Sequence, residues 1–168
     1  MTRGAVRDRA WRRKLIVTFG IALTVLALDQ LTKWLIERRF LLGEGLWLID
    51  EVLMLSHVRN PGVAFGLLSD LAQGWRLPFF LATSAVAAWL LVTIYGSAGH
   101  LPLGRVAVGL IAGGAVGNLT DRVRYGEVVD FIDVWIGPYH WPTFNVADSA
   151  ITVGTGILLF ALWRAKAL

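Results

Sequence analysis

The chain has 168 residues, 56% of them hydrophobic and only 17% charged, against roughly 45–50% apolar in soluble domains. A soluble domain of this length could not bury so much apolar surface, so the composition excludes that class and predicts one compact integral membrane domain over 1–168. Cysteine is absent, which excludes a disulfide, a thiolate nucleophile and a Cys-based metal site, while the net charge of +4 is unevenly spread.

Arg3, Arg7, Arg9, Arg12, Arg13 and Lys14 crowd the start of the chain. Such a cluster suits nucleic acid or an anionic membrane surface. Because it runs straight into an apolar segment, the positive-inside rule explains it better, nucleic acid is not expected as a partner, and the N-terminus is predicted to be cytoplasmic. A cleavable signal peptide is the competing reading. No Ala-x-Ala site follows, however, and later segments also need a membrane. The first predicted span is Leu15–Trp34, uncharged up to Leu28. Asp29 and Lys33 close it, four apart on one helix face, where they can pair locally.

The loop over about 37–76 is predicted to be external and partly folded. Val52–Val58 is rich in strand formers, Asn60-Pro61-Gly62 is a turn signal, and Val63–Gly66 suits a returning strand. Phe65, Leu68, Leu71, Ala72 and Trp75 recur at near-helical spacing, which fits a short interfacial helix. Trp34, Trp47 and Trp75 suit the same aromatic belt. This loop reads either as a plain membrane-hugging lid or as a substrate clamp.

The second span is Leu77–Tyr95, followed by a short turn carrying His100. The third, Val106–Thr120, places Gly109, Gly113 and Gly117 four apart, the small-residue spacing that lets helices approach closely. The second external loop, 121–145, is aromatic (Trp135, Tyr139, His140, Trp141), and Pro138 and Pro142 are expected to break regular structure there. The fourth span is Val146–Trp163, closed by Arg164 and Lys166. Fifteen helical residues cover only about 22 Å, short of a hydrocarbon core of about 30 Å, so three of the spans reach full length by taking in polar residues.

With the N-terminus inside, Asp29 and Lys33, Asn118 and Asp121, and Asn145 and Asp148 all fall at the external face. The polar site is therefore one-sided and shallow, whereas a transport pathway needs deeper groups. Asp130 lies at the outer edge of one segment and Asp148 just inside the next. If their carboxyls approach, they share a proton, and one acts as acid and the other as base on a water between them. Taken singly, Asp130 reads equally as a solvated loop acid and Asp148 as a helix cap. For Asp121 and Arg122, adjacent and on different helix faces, structural roles are expected. Asn60, Asn118 and Asn145 suit either a substrate backbone or the protein's own loops. His57 and His140 lack metal-binding spacing, so no metal and no cofactor are expected. A cation-coupled carrier and a non-enzymatic scaffold are the competing classes. Nothing implies an oligomer.

Five blocks carry a resemblance: Asp29-Gln-Leu-Thr-Lys33, Asn60-Pro-Gly-Val-Ala-Phe-Gly66, Gly113-Gly-Ala-Val-Gly-Asn-Leu-Thr-Asp-Arg122, Val128-Val-Asp-Phe131 and Phe144-Asn-Val-Ala-Asp-Ser149. In this order the chain resembles the lipoprotein signal peptidase (signal peptidase II) family. Thr120 departs from it, standing where an aliphatic residue is expected. The resemblance implies a four-helix aspartyl endopeptidase of the bacterial inner membrane, with both termini cytoplasmic and its site near the outer face. It would cleave signal peptides from diacylglyceryl-modified prolipoproteins on the N-terminal side of the lipidated Cys, among membrane lipids. Carried over by motif, Asp130 and Asp148 are the catalytic pair, and Asp29, Lys33, Asn60, Gly62, Asn118, Asp121, Arg122 and Asn145 the supporting and substrate-binding positions.

Overall fold

The computed structural model describes residues 3–62, 73–98 and 101–166. Four helices, α1 (Arg3–Arg39), α2 (Gln73–Ala98), α3 (Pro102–Tyr125) and α4 (Val146–Lys166), are joined by two strand pairs. Strands β1 (Gly45–Ile49) and β2 (Leu53–Asn60) follow α1, and β3 (Val128–Ile136) and β4 (Tyr139–Phe144) lie between α3 and α4. Each helix contains a segment long and apolar enough to cross a membrane: Trp11–Arg39, Leu77–Gly96, Pro102–Tyr125 and Val146–Ala165. The protein is a mostly helical, multi-span membrane protein with a small antiparallel sheet.

The helices overrun their uncharged stretches because the polar residues they take in face the bundle. Asp29, Lys33, Asn118 and Asp121 are all buried, so they meet partners rather than lipid. α3 is the hub, packing on α1, α2 and α4, whereas α1 and α2 scarcely touch. Its small residues make this possible. A Cβ at Gly113 would lie 2.6 Å from the Ala22 carbonyl oxygen of α1, and one at Gly114 would lie 2.4 Å from that of Ala147 in α4. α3 starts with proline in its first turn and ends on Gly126, left-handed at φ 76°, whose N–H donates to the Arg122 carbonyl.

The sheet has the order β1-β2-β3-β4, all antiparallel. Val58 faces Asp130 and Asn60 faces Val128 across β2 and β3. Val129 and Phe131 pack on Ile36 of α1. With side chains alternating along a strand, Asp130 between them turns to the opposite face. The sheet is thereby fixed to the C-terminal end of α1.

Two expectations change. The second loop is ordered into β3 and β4 rather than broken by its prolines, because β4 is an edge strand, where Pro142 removes no needed ladder bond. The partners of β2 are β1 and β3, and β1 was not foreseen. The returning strand at 63–66 falls outside the described residues. So does most of the proposed interfacial helix, whose final Trp75 belongs to the first turn of α2.

Candidate active site

The first turn of α4 sets Asp148. Asn145 precedes the helix as its N-cap: its Oδ1 accepts the Asp148 N–H at 2.9 Å, and Asp148 Oδ2 accepts the Asn145 N–H at 3.3 Å. This is a reciprocal capping box with Asp in place of the usual Glu or Gln. The capping role expected for Asp148 is therefore real, and it also fixes where the carboxylate points.

Asp130 arrives from β3. Its two oxygens accept amide donors from opposite sides, Asn145 Nδ2 on Oδ1 at 2.7 Å and Asn60 Nδ2 on Oδ2 at 2.9 Å. The carboxyl is buried, only 2% exposed. Burial pushes it up to about 6; the Asn60 amide opposes this and the nearby Asp148 charge reinforces it. Asp148 is half-buried by contrast.

One amide chain links the two acids. Asn118 Oδ1 accepts from Lys33 Nζ at 3.0 Å and from Asn145 Nδ2 at 3.1 Å. Its oxygen is thus taken, and its Nδ2 donates to Asp148 Oδ1 at 2.8 Å. The Asn145 amide is oriented in the same way, with its oxygen on the α4 backbone and its nitrogen on Asp130. In this structure the asparagine amides bond the carboxylates, each other and the backbone. Asn60 Oδ1, for example, accepts the Gly62 N–H at 2.9 Å.

Beneath this layer lies a buried ion cluster. Lys33 Nζ is 2.8 Å from Asp29 Oδ2 and 2.8 Å from Asp121 Oδ2, with all three side chains at most 3% exposed. The local Asp29–Lys33 pair expected from spacing is present, but Asp121 joins it from α3. Asp29 also accepts the Ala147 N–H in the first turn of α4 at 2.9 Å. Asp121 accepts the Val129 N–H of β3 at 3.2 Å. The cluster ties α1 and α3 to the two elements that carry Asp130 and Asp148. Gly117 permits the approach, since a Cβ there would lie 2.5 Å from Asp29 Oδ2.

Arg122 joins the site from α3. Its Nη1 donates to the Asn118 carbonyl at 3.4 Å, its Cζ lies 4.4 Å from the centre of the Phe80 ring, and it is within electrostatic reach of Asp148, Asp130 and Asp121. Gly62, at φ 87°, abuts the same Phe80 so closely that a Cβ would fall 1.9 Å from Cζ. All ten residues expected at the site thus form one connected cluster. His57 and His140 bond elsewhere, His57 to the Phe40 carbonyl and His140 to Asp133 beside Trp135.

Sequence reasoning missed Gln30. Its Nε2 donates to Asp121 Oδ1 at 2.9 Å, to the Gly117 carbonyl at 3.3 Å and to Asp29 Oδ2 at 3.3 Å. The available signal was its place inside the Asp29–Lys33 block, one residue from a buried acid.

A family model described as signal peptidase (SPase) II matches residues 21–164. A lipoprotein signal peptidase from Syntrophotalea carbinolica is 53% identical over 147 residues, covering 86% of this chain and 89% of that protein. One from Geobacter sulfurreducens is 47% identical over 146 residues, covering 86% and 90%. Two solved structures, both described as bacterial membrane enzymes obtained by the in meso method, share the fold. One has a TM-score of 0.78 at 35% identity, covering 89% of this chain and 88% of that one. The other has 0.76 at 36%, covering 86% and 91%. A match that runs from the middle of α1 to the end of α4 leaves no element of the site outside it, and the chain belongs to the signal peptidase II family.

Proposed function

We propose that this membrane protease is an aspartic endopeptidase. It removes signal peptides from diacylglyceryl-modified prolipoproteins on the N-terminal side of the lipidated Cys, with Asp130 and Asp148 as the catalytic pair. The observation that carries the reading is the pairing of a buried acid raised to about 6 with a second, more accessible carboxylate held by the same asparagine. Near neutral pH Asp130 holds a proton for part of the time and serves as the acid. Asp148 takes a proton from water. The water oxygen adds to the scissile carbonyl, whose oxygen accepts the Asp130 proton. Collapse of that gem-diol breaks the C–N bond: the proton held on Asp148 passes to the leaving amine, and one hydroxyl proton of the adduct returns to Asp130 as the carboxyl product forms.

Supporting roles follow the geometry. Asn60, Asn118 and Asn145 fix the carboxylates, the Asp29–Lys33–Asp121 cluster fixes the asparagines and strand β3, and Gly62 shapes the turn that holds Asn60. The protein is placed in the bacterial cytoplasmic membrane with both helix-bundle ends α1-N and α4-C inside. Its site then opens at the outer face, where a substrate's own acyl chains hold the scissile bond just beyond the hydrocarbon. The test is cleavage of a lipidated prolipoprotein by the purified protein. Asp130→Asn and Asp148→Asn should each abolish cleavage while the protein remains folded, and EDTA should leave the wild type active. Retained cleavage by either variant would remove the dyad.

A further inference from the structure

The far end of the bundle carries a cleft whose lining includes none of the site's acids or asparagines. Because α1 and α2 both lean on α3 and scarcely touch, this cleft of about 330 Å3 opens between them. Its floor is Val108 and Ala112 of α3; Leu15, Phe19 and Ala22 form one wall and Ala88, Leu91 and Val92 the other. Two polar groups interrupt this lining. Thr18 is satisfied by the Lys14 carbonyl at 3.2 Å. Tyr95 is not: its hydroxyl is buried and has no hydrogen-bond partner among the described residues. The Trp11 ring closes on Tyr95 edge-on, with centroids 6.0 Å apart.

The mouth of the cleft is cationic. Arg12 stands one turn before Leu15, and Arg105 one turn before Val108, so each shares a helix face with a lining residue. Thr18 Oγ1, 3.5 Å from the Arg105 carbonyl, brings the two helices together at this level. The Arg105 Nε donates back to the Leu101 carbonyl, which keeps its guanidinium at the same end. Among the described residues, Arg12, Lys14 and Arg105 pair with no carboxylate. The cleft lies toward the N-terminal end of α1. From Leu15 to Lys33 the helix rises about 27 Å at about 1.5 Å per residue, so the acids sit near the other membrane face.

We propose that this cleft is a binding site for one anionic phospholipid. An acyl chain lies between α1 and α2, the phosphate rests on Arg12, Lys14 and Arg105, and the Tyr95 hydroxyl donates to an oxygen of the headgroup or ester. A membrane-embedded apolar cleft faces lipid chains directly, and the unpaired cations at its mouth select an anionic headgroup.

Native mass spectrometry of the full chain in detergent tests this, with phosphatidylglycerol titrated in parallel with phosphatidylcholine of the same chains. The expected result is one phosphatidylglycerol retained about tenfold more tightly than phosphatidylcholine. Ala88→Trp, which fills the cleft, and separately Arg12→Gln with Arg105→Gln should each reduce retention about tenfold. Unchanged thermal unfolding in lipid-free detergent checks their fold, and Tyr95→Phe offers a milder third variant that should weaken retention without enlarging any side chain. Equal retention of both lipids would overturn the proposal, as would retention indifferent to Ala88→Trp or to loss of the arginines, since the lipid would then be a loose boundary lipid. Displacement of phosphatidylglycerol by a lipidated signal-peptide substrate would also overturn it by making the cleft part of the substrate path.

Discussion

Asp130 shows how one buried carboxyl links stability to chemistry. Its folded pKa of about 6 lies above the unfolded value of about 3.9, so the folded state binds the proton more tightly. The cost of burying its charge is absent below about pH 3.9, grows as pH rises toward about 6, and is fully present above that, reaching about 3 kcal/mol. Thermal unfolding should therefore show stability falling between about pH 4 and 6, with a flatter profile in Asp130→Asn; an identical profile would contradict the burial account. Lys33 is the opposite case, a buried cation between two acids. Lys33→Met should cost about 3–5 kcal/mol, because two buried carboxylates are left facing each other, and adding Asp29→Asn and Asp121→Asn should restore much of it in chemical denaturation. The acids were legible in the sequence because charges at membrane depth stand out. Gln30 was not, because a neutral amide on a helix carries no such signal and its partners come from α3.

The elements divide by how much of their burial is local. The spans were readable from unbroken apolar runs, and α3 runs on to Tyr125 because Asn118 and Asp121 are buried inside the bundle. β1, β3 and β4 were not readable. β1 is a run of apolar residues exposed on both faces, so it lacks the polar alternation that marks a strand over a soluble core, and Pro142 disguises the edge strand β4. The start of α4 gives a sharp test. Asn145→Ser keeps a good N-cap residue but removes the amide nitrogen that reaches Asp130. Helix content by circular dichroism should hold while cleavage falls by about 100-fold or more, a loss of about 3 kcal/mol in the transition state. Helix loss that tracked the activity loss would mean the cap alone matters. At the turn after β2, Gly62→Ala should cut activity likewise, since neither the φ of 87° nor the Phe80 contact admits a Cβ. A fully active Gly62→Ala enzyme would show that the Asn60 turn is dispensable.

For the whole molecule, the sheet and the buried acids gather at one end of a bundle whose other end is basic. Under the positive-inside rule that asymmetry predicts the orientation proposed above. Because the chain has no cysteine, single introduced thiols report position without background. A membrane-impermeant maleimide applied to intact spheroplasts should label Asp50→Cys, at the exposed turn between β1 and β2, and spare Ala165→Cys near the end of α4. The reverse pattern would invert the proposed topology. The one-sided arrangement was visible in the sequence through the placement of charges along four spans. The packing that joins them was not, because it depends on which faces of α3 meet α1 and α4.

The Asp29–Lys33 contact also bears on biogenesis. The two residues lie one turn apart and 2.8 Å from each other, so α1 carries its own counterion when it leaves the ribosome, before α3 has been made. It can partition into the bilayer as a self-neutralised segment, and Asp121 later docks against a cation already in place. Nascent chains ending after α2 should integrate efficiently with both residues present or both neutralised, and poorly with Lys33→Met alone, as read by protease protection in a translation–insertion assay. Equal integration by all three would mean that the charges find each other only after the helices have assembled.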